Sequence, residues 1–183
     1  MGSMVSLPMS SLWQKKEYRI LIAGPDFGPI ETVPTVGFNV ESLTHGGMDF
    51  VCWDVGGRQR VRPEWTAYFT PTNAIIFVVD STDIRLDDAA NKLVHLLNHE
   101  FMREVSDAPL LVFANKQDLK GAKSPVEIAE ALHLRELGDR RWNIAPCSAT
   151  DGVGISGGMD WLVVSTYSPR IFLNPLFCRI LNL

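Results

Sequence analysis

Asn115-Lys116-Gln117-Asp118 follows directly on the apolar run 110–114, which places four polar residues at the carboxyl end of a buried strand, where open α/β sheets bind ligands. A carboxylate such as Asp118 can accept a ring N1–H and the adjacent exocyclic N2–H of guanine together, whereas adenine offers no such pair of donors. One aspartate can therefore choose the base. Asn115 can brace neighbouring loops, and the Lys116 stem can cover the flat ring. Cys147-Ser148-Ala149 closes the last short apolar segment, and there a backbone N–H of a small residue can come close to a guanine carbonyl. Ser148 and Ala149 thus complete a base pocket built from two loops. Trp53-Asp54-Val55-Gly56-Gly57 has the D-x-x-G form, in which the aspartate holds Mg²⁺ through water and the last glycine N–H meets a γ-phosphate. A plain glycine turn after a strand would read the same way.

Positioning these groups needs a sheet. Short segments rich in Val, Ile and Phe alternate with amphipathic stretches, the pattern of βα units around a mostly parallel sheet. Strands are expected at 18–23, 74–80, 110–114 and 143–147, and a hairpin at 38–43 and 48–53 around His45-Gly46-Gly47, whose glycines permit positive φ. The stretch 88–103 puts Ala89, Leu93, Leu96, Leu97 and Phe101 on one helical face. Ser124 and Pro125 supply an N-cap and first-turn proline for a helix over 125–133.

The 183 residues bound the chain to one domain, and a net charge of -4 gives no basic surplus for nucleic acid. Three cysteines, Cys52, Cys147 and Cys178, are too few and too scattered for a disulfide framework or zinc knuckle, which fits a reducing cytoplasmic setting. The longest apolar runs are strand-sized and fall short of the roughly 18 residues a membrane span needs.

Pro34-Thr35-Val36-Gly37-Phe38-Asn39-Val40-Glu41, Trp53-Asp54-Val55-Gly56-Gly57, Arg62-Pro63-Glu64-Trp65 and Asn115-Lys116-Gln117-Asp118 together resemble the Arf and Arf-like proteins, over roughly residues 1–162. The resemblance implies an α/β, Ras-like small GTPase fold: a mostly parallel sheet with one antiparallel hairpin strand and helices on both faces. It implies a GTP/GDP and Mg²⁺ switch in vesicle and membrane trafficking, monomeric, peripheral to membranes such as the Golgi, and served by effector, exchange and activating proteins. Thr35 would join Asp54 on the metal, and Gly57 would meet phosphate. Phe38, Trp53 and Tyr68 would form an apolar effector face, although aromatics at strand spacing could equally be core. Met1-Gly2-Ser3-Met4-Val5-Ser6 fits a myristoylation pattern with Gly2 as acceptor; Gly-Ser-Met is also what a cloning vector leaves behind. The expected division is an amphipathic segment over 1–16, a GTPase-like domain over 17–164 and a divergent tail over 165–183.

Three departures qualify that expectation. A phosphate loop requires G-x-x-x-x-G-K-[ST] after the first strand, but counting from Gly24 the required positions hold Pro29, Ile30 and Glu31. Only the Gly24-Pro25-Asp26 remnant survives, and the first helix is absent with about a dozen residues, which is expected to uncover one face of the sheet. Losing three or four charge-assisted hydrogen bonds costs roughly 5 to 10 kcal/mol, about four to seven decades of affinity. Arg58 occupies the position of the water-orienting glutamine, and its guanidinium cannot accept a hydrogen bond. Beyond Leu162, β-branched residues and Pro169 work against a long terminal helix. These breaks set a cycling switch against a nucleotide-independent effector-binding module or a defective isoform.

Overall fold

Six strands form one sheet in the order β2-β3-β1-β4-β5-β6. The computed structural model describes residues 17–25, 38–55, 72–98 and 106–167. The strands are β1 (Glu17–Ala23), β2 (Phe38–His45), β3 (Met48–Val55), β4 (Ala74–Asp80), β5 (Leu110–Asn115) and β6 (Trp142–Pro146). Only β2 with β3 is antiparallel; β1 pairs in parallel with β3 and β4, and β5 pairs in parallel with β4 and β6. The expected mixed architecture is therefore the one observed. Gly46 and Gly47 turn the hairpin at φ 56° and 77°, the positive values that two-residue hairpin loops require.

Alternation along the central strands feeds two cores. Leu21, Ile75, Phe77, Val79, Leu110, Val112 and Ala114 face one side, against Ala89 and Leu93 of α1 (Leu86–Leu97) and Ile128 of α2 (Pro125–Ala131). Ile20, Ile76, Leu111 and Phe113 face the other side, against Met159 and Leu162 of α3 (Ile155–Tyr167). The stripe expected over 88–103 is realised by α1, with Ala89 and Leu93 buried; Phe101 lies outside the described residues. The helix expected over 125–133 stops at Ala131, because His133 turns into the left-handed region at φ 53° and a short 3-10 turn, Leu134–Glu136, follows. Its start carries a complete capping box between Ser124 and Glu127.

The expectation of a bare sheet face needs correcting. No helix stands between β1 and β2 among the described residues, yet Ile20, Phe50, Ala74 and Leu111 on that side are fully buried. Part of the reason is that α3 packs closely on the sheet. A Cβ at Gly158 would lie 2.5 Å from the Phe113 ring, so the bare backbone lets the helix settle onto β5. Its middle reaches the hairpin tip, where His45 Nε2 lies 2.6 Å from Asp160 Oδ1 and Gly46 abuts Val163.

The terminal helix also runs further than its composition suggests. It continues through Val163 and Val164 to Tyr167, crossing the boundary expected at 164. β-branched residues cost only a few tenths of a kcal/mol each in a helix, and full burial of Leu162 together with the Arg141 guanidinium bonded to the Ser165 carbonyl outweighs that. No helix among the described residues is long and apolar enough to cross a membrane.

Candidate functional site

The carboxyl ends of β4, β5 and β6 lie side by side, and the polar residues just beyond them are cross-linked. Asp80 ends β4 in register with Asn115, which ends β5. Asn115 Oδ1 accepts from the Ala149 N–H at 2.9 Å and sits 3.7 Å from the Cys147 thiol. The Gln117 N–H donates to the Cys147 carbonyl at 3.0 Å, and its side-chain amide donates to Ser81 Oγ at 2.8 Å and to the Lys123 carbonyl at 3.0 Å. Ser148 is buried; its N–H donates to the Val153 carbonyl and its hydroxyl to Asp151 at 3.1 Å. Asn115, Lys116, Asp118, Ser148 and Ala149, singled out in the sequence, are therefore brought to one edge of the sheet by backbone and side-chain bonds that need no ligand.

Lys116 is the strained member. Its φ of 67° is a left-handed value, which costs a non-glycine residue on the order of 1 kcal/mol. Its ammonium lies 2.6 Å from Asp80 Oδ2. Asp80 Oδ1 in turn accepts from the Thr82 N–H at 2.9 Å and the Thr82 hydroxyl at 2.7 Å. Partial burial pushes the Asp80 carboxyl up, but the Lys116 and Thr82 donors together outweigh it and hold the group below the ordinary carboxylate value. Asp80 and Thr82 were not singled out in the sequence. The signal was there: an aspartate ending one strand, with a threonine two residues on, makes a local hydrogen-bonded turn.

Asp118 is exposed and accepts no hydrogen bond among the described residues, which leaves both carboxylate oxygens available to a pair of ring donors. The Ala149 N–H is already engaged by Asn115, so a ring carbonyl reaching it would share the proton. Cys147 and Cys52 are buried, and burial raises both thiols, Cys52 to about 11. They pack as neutral groups rather than act as nucleophiles.

The other expected residues are scattered along the β1–β3 side. Asp54, in register with Ile22, has no ion pair among the described residues, and partial burial pushes its carboxyl up. Gly24 presses on β4, where a Cβ would stand 2.7 Å from the Val78 carbonyl oxygen. The Trp53 ring is half-buried under Arg19, whose guanidinium carbon is 4.7 Å from the ring centroid. Phe38 begins the edge strand β2. Gly2, Thr35, Gly57, Arg58 and Tyr68, and the Phe38 side chain, lie outside the described residues. Among the described residues no three His, Cys, Asp or Glu side chains are grouped to hold a metal ion.

A two-loop edge of this kind on a mixed six-stranded sheet has relatives. The family model of the ADP-ribosylation factor family matches residues 5–166. This chain belongs to the ADP-ribosylation factor family. It is 45% identical over 177 positions to ADP-ribosylation factor-like protein 1 of Saccharomyces cerevisiae strain S288c, covering 89% of this chain and 96% of the yeast protein. A solved structure of the Arl6 BBS3 small GTPase from Trypanosoma brucei, with the bound nucleotide analogue GppNp, superposes with a TM-score of 0.72 at 32% identity. That match covers 84% of this Arf-family chain and 99% of the trypanosome chain. The yeast alignment is 177 positions long but uses 89% of 183 residues, about 163. About fourteen of its positions, 177 less 163, therefore have no residue here, in keeping with the dozen or so absent after Gly24.

Proposed function

We propose that this Arf-family chain recognises guanine through its β5 and β6 loops, binds GTP only weakly, and acts chiefly by presenting its hairpin to partner proteins. The observation that carries the reading is the Asn115–Ala149 cross-brace beside the unpaired Asp118 carboxylate. The base half of a guanine-nucleotide site is held ready, while the sequence lacks the lysine and hydroxyl of the phosphate half. Magnesium fares no better. Of its expected ligands Asp54 and Thr35 remain, and the hydroxyl position that follows the phosphate-loop lysine holds Glu31. A GppNp-bound relative supports guanine nucleotides as the ligand class. It does not supply the absent donors.

The hairpin fits the role of a docking face. Val40 is 44% exposed on the edge strand, directly opposite half-buried Trp53, and an apolar strip on an open edge suits protein contacts. In the trafficking reading the N-terminal segment, acylated at Gly2, brings this face to a Golgi or related membrane. Arg58, standing where a water-orienting glutamine is needed, argues against hydrolysis.

Titration with a fluorescent guanine nucleotide in Mg²⁺, with an adenine analogue as control and circular dichroism to establish folding, tests the reading. Guanine-selective binding weaker than about 1 μM is expected. Sub-micromolar binding would restore a full GTP switch, and a folded protein that binds neither analogue would leave a nucleotide-independent module.

A further inference from the structure

A carboxylate selects a base only if the backbone that carries it stays in place, and Asp118 is exposed. The residue before it is anchored on three sides. Gln117 is half-buried, and its side-chain amide donates to Ser81 Oγ at 2.8 Å and to the Lys123 carbonyl at 3.0 Å. A carbonyl oxygen only accepts, so the amide nitrogen has to face it; the flipped amide would set oxygen against oxygen. The Gln117 backbone N–H donates to the Cys147 carbonyl at 3.0 Å. Both side-chain partners are themselves fixed. Ser81 is fully buried, its N–H donates to the Asn115 carbonyl at 2.9 Å, and its carbonyl accepts from the Lys123 N–H at 2.9 Å. The Lys123 ammonium donates to the Asp83 carbonyl at 2.7 Å. One glutamine thus joins the loops after β4, β5 and β6 to the segment entering α2.

We infer that Gln117 is the positioning residue that makes Asp118 a two-point acceptor, and that it thereby sets the preference for guanine over hypoxanthine, which lacks the exocyclic amine. The inference rests on the guanine reading proposed above and deepens it. Gln117 acts through Asp118 and touches no ligand in this role. The ring N1–H is common to both bases, and a carboxylate that shifts with its loop can still accept from it through one oxygen. The second bond, from the N2–H of guanine, requires both oxygens to lie along the ring edge at once. Loosening the loop therefore costs the amine contact first. Asn115 and Lys116 secure the start of the loop, on Ala149 and Asp80, whereas Gln117 secures the position adjoining Asp118.

Ligand-detected NMR on the full-length folded protein compares GDP with inosine diphosphate (IDP) in Mg²⁺, with ADP as control. GDP and IDP differ only in the amine, so whatever meets the phosphates cancels from their ratio. The parent is expected to prefer GDP by at least about tenfold, the worth of one charge-assisted bond. Gln117→Met keeps the length of the side chain and loses both donors, and it should bring the ratio to about threefold or less. Ser81→Ala removes one of the two bonds without touching the base loop and should leave an intermediate ratio. A residue that merely supported the fold would, on replacement, lower the urea midpoint and weaken GDP and IDP together, with their ratio intact. An unchanged ratio in Ser81→Ala or in folded Gln117→Met overturns the inference while leaving guanine recognition standing. So does a parent that binds GDP and IDP alike and both better than ADP. A folded parent that binds neither better than ADP overturns the guanine reading as well.

Discussion

Asp80 is the residue whose replacement separates structural bracing from charge at this site. Asp80→Ala removes the acceptor for two Thr82 donors and for the Lys116 ammonium. Charge-assisted bonds contribute about 1.5 to 3 kcal/mol when well shielded. Here the two side chains keep 29% and 39% of their exposure, so water recovers part of the loss and about 1 kcal/mol per Thr82 bond is the appropriate figure. The partly exposed ion pair adds about 0 to 1 kcal/mol. The alanine variant should therefore lose about 2 to 3 kcal/mol. Asp80→Asn keeps an oxygen for Thr82 but loses the charge and the acceptor for the Lys116 ammonium, about 0.5 to 1 kcal/mol.

Urea denaturation followed by circular dichroism measures both, provided the slope m is unchanged. The pH dependence gives a second reading with a definite sign. The folded Asp80 carboxyl titrates below its ordinary value of 3.8. Its contribution is thus fully present above the unfolded value and is lost as pH falls through the lower folded one. The stability gap between the parent and Asp80→Asn should hold constant above about pH 5 and close below about pH 4. An alanine variant within about 0.5 kcal/mol of the parent would refute the bracing role, and a gap that stays open in acid would refute the charge assignment.

Other substitutions test neighbouring supports. Gly154→Ala places a Cβ 2.0 Å from the Pro146 carbonyl oxygen at a backbone φ of 80°, so the turn carrying Ser148 must move; a loss of about 2 to 4 kcal/mol in urea is expected, from strain and displaced backbone. Ser124→Ala removes the hydroxyl that accepts from the Glu127 N–H and donates to the Glu127 carboxylate, leaving the Ser124 N–H bond in place, and should cost about 1 kcal/mol by the same assay. Asp118→Ala, at an exposed carboxylate, should leave the urea midpoint unchanged while removing guanine binding in the nucleotide titration.

Sheet and hairpin were legible because periodicity carries them: the runs 74–79 and 110–114 are apolar throughout, as strands covered on both sides must be. The base loops were legible because their residues are contiguous in sequence and end a strand. What the sequence concealed is mostly tertiary. Val163, Val164 and Thr166 are poor helix formers locally, yet the helix holds because Leu162 and Ser165 turn inward and are buried. His133 cuts α2 short through a left-handed backbone that no local pattern announces. Asp80 looks like an ordinary strand end until Lys116, distant in sequence, arrives beside it.

The two halves of the site depend on the fold in different ways, and this explains how one can be held ready without the other. Asn115, Gln117 and Ser148 are held at the ends of β4, β5 and β6 by backbone and side-chain bonds among the loops that follow those strands. A phosphate cradle, by contrast, lives on the turn from β1 into a helix and vanishes with that helix. Its loss would expose a sheet face in most α/β folds. Here α3 rests directly on Phe113 through Gly158 and reaches the hairpin through Asp160 and Val163, and on that side the central strands stay buried. Burial of that side is thus kept without a helix between β1 and β2 among the described residues, while the sequence lacks the lysine and hydroxyl of a phosphate loop. On the reading proposed above, such a chain keeps the fold and the base edge of an Arf-family protein and lacks what reads the phosphates.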